Sequence, residues 1–136
     1  MPHDPARTAD TKDWLVRAVG DIAAAERLLK PPALFSTAVF HCQQAAEKAL
    51  KGFLAWHDIP FRKTHNLEEI GEACIAIDAN LRAAVDRAVP LTEYAWKFRY
   101  PGPADEPTRE EAQDAVALAR EVYSAIIALL PAEAKP

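Results

Sequence analysis

Residues 34–57 read LFSTAVFHCQQAAEKALKGFLAWH. At about 100° per residue, Phe35, Val39, Cys42, Ala46, Leu50 and Phe53 fall within about 40° of one direction, which predicts a core-facing helical stripe. His41, Gln44, Lys48 and Lys51 gather within about 80° of each other on the opposite side, with Thr37 among them and Glu47 at the edge. This polar stripe has two readings: a solvated face carrying a Glu47–Lys51 i,i+4 pair, or an anion or phosphate site. Phe40 and Leu54 lie near the edge of the polar side, and Gln43 lies near the core edge. A helix with apolar residues on two sides has two partners, so Phe40 and Leu54 are candidates for a homodimer face.

Outward from this helix, prolines divide the chain. They fall at 2 and 5, 31–32, 60, 90, 101 to 107, and 131. Proline inside a helix costs about 3 kcal/mol, so helices are expected between them, over 10–30, 33–58, 66–89, 91–99 and 108–130. In the first stretch Leu15, Ala18, Ile22, Ala25 and Leu29 keep a helical period behind a start signal at Asp10 and Asp13. Asn66 with Glu69 opens the third, and Thr108 with Glu111 opens the last with capping-box spacing. No alternating strand pattern appears. The expected fold is all-α, an up-and-down bundle of four to five helices over residues 10–130, between flexible termini at 1–9 and 131–136.

The 136 residues suffice for one domain with a core that needs no cofactor. Sixteen Lys and Arg against twenty Asp and Glu leave a net charge of −4, which argues against coating nucleic acid by bulk charge. Cys42 and Cys74 stand apart in apolar surroundings, so no disulfide is expected. No apolar run approaches the roughly 18–20 residues of a membrane span and the first residues are polar, so a cytoplasmic location is expected.

Candidate ligand-binding residues gather in three places. His41, Gln44, Lys48 and Lys51 lie on the second helix. The following connection puts Arg62, Lys63 and His65 beside a helix start that favours anions, although His65 equally suits a structural hydrogen bond in the turn. Arg99 and Tyr100 precede a proline-rich loop and suit a base or a phosphate. Asp21 flanks the apolar stripe of the first helix; half-buried, it needs a basic partner from the second. Glycine-rich phosphate loops, His-Glu-x-x-His and CxxC are absent, so no metal site is expected. Cys42 points to the core side, where a thiolate is costly.

The run Ala38-Val-Phe-His-Cys-Gln-Gln-Ala-Ala-Glu-Lys-Ala-Leu-Lys-Gly52, then Thr64-His65-Asn-Leu and Phe98-Arg-Tyr-Pro101, resembles the HEPN domain (higher eukaryotes and prokaryotes nucleotide-binding). The resemblance implies a helical bundle pairing as a homodimer, nucleotide or RNA binding, and work beside a separately encoded minimal nucleotidyltransferase, often as a toxin–antitoxin pair. By position it implies functional polar residues at His41, Gln44, Glu47, Lys48 and Lys51, a turn at Thr64 and His65, and an arginine–tyrosine pair at Arg99 and Tyr100. The family's ribonuclease members carry an arginine followed after four to six residues by histidine. Here no histidine follows His65. The expectation is therefore a non-catalytic nucleotide-binding and interaction module; the alternatives are a metal-independent ribonuclease toxin with a variant site, and a helical dimeric scaffold.

Overall fold

In a computed structural model, which describes residues 4–102 and 105–136, five α-helices form an all-α bundle. They are α1 (Pro5–Leu28), α2 (Phe35–Trp56), α3 (Leu67–Ile77), α4 (Arg82–Ala88) and α5 (Arg109–Ala128). Short 3-10 turns occupy Ala79–Leu81, Val89–Ala95 and Ala132–Ala134. No strand occurs among the described residues.

Helix α1 starts earlier than the Asp10 signal predicts. Asp4 Oδ1 accepts from the Ala6 amide at 2.9 Å, and Pro5 takes the first helical position, where a missing N–H costs nothing. The flexible stretch expected over 1–9 is thus helical from Pro5; residues 1–3 lie outside the described residues. At the other end Ala134 is fully buried and its turn packs against α1, so the tail expected to be loose is docked.

Helix α2 is central, packed against α1, α3 and α5. Trp14 and Leu15 lie against Gly52 while Asp21 lies against His41 and Lys48, so α2 runs back along α1. A Cβ on Gly52 would stand 3.1 Å from the Trp14 Cβ. Its absence lets the two helices approach there. Ala38, Ala45, Ala46 and Ala49 of α2 are also fully buried, and Leu50 and Phe53 of the same helix lie in the core.

The single helix expected over 66–89 is broken. Asn66 caps α3 through the Glu68 and Glu69 amides, but Asp78 is extended (φ −145°, ψ 108°) and its carboxylate accepts from the Asn80 amide. A short carboxylate side chain that bonds the backbone locally competes with helix continuation. The chain folds back, and α4 packs against α3. The helix expected over 91–99 is instead a 3-10 turn, with Pro90 in its first positions withholding an amide donor. Helix α5 starts as predicted, with the reciprocal Thr108–Glu111 capping box formed.

Candidate functional site

The polar stripe of α2 is not a solvated face. Asp21, on α1, receives His41 Nδ1 at 2.8 Å and Lys48 Nζ at 2.7 Å, one on each carboxylate oxygen. Its side chain is only 10% exposed, so the carboxylate is paired as burial requires. A carboxylate accepts and does not donate, so Nδ1 carries the imidazole hydrogen and Nε2 turns away from Asp21. Against His41 stands the edge of Phe40, and the Arg99 guanidinium covers the Phe40 ring at 4.6 Å. Lys48, Asp21, His41, Phe40 and Arg99 therefore form one chain of contacts.

Beside Arg99 lies a pocket of about 260 Å³ lined by Ser36, Thr37, Phe40, Phe98 and Arg99. Ser36 and Thr37 belong to the first turn of α2, whose cap position, Leu34, offers no side-chain acceptor and whose first turn holds no acid. The positive end of that helix is thus left to other partners. Among the described residues Arg99 forms no ion pair with a carboxylate, whereas Arg62, Lys48, Lys51 and Lys97 each do. A guanidinium, two hydroxyls and two aromatic rings converging on one pocket can hold a phosphate-bearing aromatic ligand.

A second cluster is centred on Glu47. Its carboxylate takes hydrogen bonds from Gln43 Nε2 at 3.1 Å, Lys51 Nζ at 2.9 Å and His65 Nδ1 at 2.7 Å. Gln43 also donates to the His65 carbonyl and accepts from Gln44, so the cluster ties α2 to the turn before α3. Lys51 Nζ lies 5.8 and 5.6 Å from the ring centroids of Trp14 and Phe61, which meet each other edge to face. Burial pushes the Glu47 carboxyl upward, but the hydrogen bonds from His65, Lys51 and Gln43 outweigh it and hold it below its ordinary value. The Glu47–Lys51 pair, one reading of which was a surface pair, is buried at 5% and 9% side-chain exposure.

The family model of the HEPN domain matches residues 11–129. The chain belongs to the HEPN family. Neither a curated protein nor a solved structure gives a significant match. In this HEPN domain the helix-borne motif residues divide between the two clusters, His41 and Lys48 in the first, Gln43, Glu47 and Lys51 in the second, with Gln44 bonded to Gln43 between them. Arg62 joins neither: it is exposed and bound bidentately to Glu69. Tyr100 is 72% exposed beyond the pocket.

Leu54 is corrected as a dimer-face candidate. It is fully buried within the chain, and the connection folds over it, with the Ile59 amide bonded to the Leu54 carbonyl. The second apolar side of α2 is covered there by its own polypeptide. Phe40 stays partly exposed.

Ser36, Phe98, Trp14, Phe61 and Gln43 were missed as site residues. For Gln43 a signal existed: it stands four residues before Glu47, within reach on one helix face. The others depend on packing between segments far apart in sequence. The Cys42 thiol is pushed up to about 12 by burial, then by Asp21 and Glu26, so a thiolate is costly at this buried position. Among the described residues no group of three or more potential ligands is placed to hold a metal, and no helix is long and apolar enough to cross a membrane.

Proposed function

We propose that this HEPN domain is a non-catalytic nucleotide-binding and interaction module, working with a separately encoded minimal nucleotidyltransferase as in toxin–antitoxin pairs. The observation that carries the ligand part is the Ser36–Thr37–Phe40–Phe98–Arg99 pocket, whose guanidinium has no carboxylate partner among the described residues. Phosphate goes to Arg99 and the hydroxyls, and the aromatic base to the ring surfaces. Asp21 holds His41 and Lys48 in place beside Phe40. Family membership supports a module of this kind; the nucleotidyltransferase and toxin–antitoxin assignments rest on the family alone.

Calorimetric titration with ATP, GTP and a short RNA is expected to give saturable heat that Arg99→Ala reduces at least tenfold in affinity, while Arg62→Ala leaves it unchanged. No heat at high protein concentration, or equal loss in both variants, overturns the reading. The Asp21-fixed His41 favours the ribonuclease as a second reading, since it presents an imidazole nitrogen outward near a phosphate site. Growth arrest on expression that Arg99→Ala or His41→Ala abolishes supports that reading; intact RNA and unaffected growth exclude it.

A further inference from the structure

Trp96 is 58% exposed on the segment that leads into the ligand pocket. Among the described residues its indole neither packs on another ring nor lies under a cation. The Arg99 amide donates to the Trp96 carbonyl at 3.2 Å, closing a turn that brings the two residues within about 7 Å of each other at Cα. Trp96 therefore stands beside Arg99 at the edge of the pocket, with its indole open to solvent. The rings inside the pocket are already partly covered. Phe40 lies under the Arg99 guanidinium, and Phe98 stacks on Tyr94 at 5.9 Å with Lys97 Nζ 5.4 Å from its centroid.

Size and charge both bear on what reaches this indole. The pocket, at about 260 Å³, is smaller than the roughly 300–1,000 Å³ of sites that enclose a whole small molecule, so a ligand longer than one base extends past its rim. A phosphodiester carries one negative charge, whereas a terminal phosphate carries about 1.5 to 2 near neutral pH and a triphosphate more. Arg99 supplies one positive charge, and Lys97, the neighbouring cation on the same segment, is matched by Glu93 at 3.2 Å. One guanidinium thus balances a bridging phosphate better than a triphosphate tail. An open aromatic ring beside a cation suits a base and its adjoining phosphate, since every base has a π-face and needs no hydrogen-bond readout to stack.

We infer that Trp96 is a second base subsite, and that the unit this site takes is two bases joined by one phosphodiester. The phosphate meets Arg99, one base enters the pocket, and the next stacks on the Trp96 indole. This rests on the ligand reading above and names the unit bound there. The test is titration with adenylyl-adenosine (ApA), AMP and ATP, followed by calorimetry and by tryptophan fluorescence. ApA is expected to bind at least about fivefold tighter than AMP or ATP, the gain of one stacked base, and to quench the fluorescence. Trp56 is 4% exposed and Trp14 meets Phe61, so the quenching reports Trp96. Trp96→Leu, checked for unchanged helicity, is expected to lose both the ApA advantage and the quenching, and Trp96→Phe to recover part of the affinity. Equal binding of ApA and AMP to the wild type through Arg99 overturns the subsite and leaves the ligand reading standing, whereas failure of all three to bind overturns both. An ApA advantage that persists in Trp96→Leu also overturns the subsite. So does a Trp96→Leu chain that changes from dimer to monomer with no change in nucleotide binding, since the indole then serves a contact between copies.

Discussion

Glu47 is where a single residue carries most consequence. Its carboxylate is buried, and three donors from two segments keep it ionised. Replacing it by Ala leaves Lys51 charged and buried against two aromatic rings, which is expected to cost about 3–5 kcal/mol in denaturant unfolding. Because its carboxyl is held below the ordinary 4.5, the folded state binds a proton there less readily than the unfolded chain. Its contribution is therefore present above pH 4.5 and is lost as pH falls through the lowered value. Acid unfolding curves should show that loss in the wild type and less of it in Glu47→Gln. Thr11 is the opposite case: its hydroxyl is buried without a hydrogen-bond partner among the described residues. Thr11→Val keeps the shape and removes the orphan, so a gain of about 1 kcal/mol is expected in thermal melts. Neither effect is legible from residue type, since spacing marks Glu47 and Lys51 as neighbours without saying what covers them.

At the scale of elements, the α3–α4 corner depends on a missing side chain. A Cβ at Gly71 would stand 2.3 Å from Val85 Cγ1, so α4 cannot keep its place against α3 if any carbon is added. Gly71→Ala is expected to cost about 1–3 kcal/mol, with part of the loss recovered by adding Val85→Ala; equal stability of Gly71→Ala and wild type by chemical denaturation would contradict this packing. Local signals located α2 and the start of α5 closely, because a core stripe and a reciprocal cap are properties of neighbouring residues. The local signal for α1, a cap at Asp10, stands six residues after the actual cap, Asp4. Local spacing also ran α3 through Asp78, where an extended backbone and a side-chain bond to Asn80 end the helical period without proline or glycine.

For the whole molecule, the charge count conceals local pairing rather than one basic cleft. Lys48, Lys51, Arg62 and Lys97 are each matched by a carboxylate, whereas Arg99, the cation that lines the pocket, has no carboxylate partner among the described residues. Ligand affinity is accordingly expected to fall only gently with salt, with a slope near one in a log–log plot of affinity against salt concentration. Titrations at several ionic strengths giving a slope of five or more would mean that the paired lysines also release their carboxylates. By itself the sequence determined the helical class, the central helix with its two faces, the family, and the need of Asp21 for a basic partner. Those follow from periodicity, caps and residue chemistry over short spans. Only the tertiary structure decided that Glu47 and Lys51 are buried, that Leu54 is covered by its own chain, and that Arg99 meets Ser36 and Thr37 across sixty residues. Burial and convergence depend on which distant segment lies over a helix, and no local spacing encodes that.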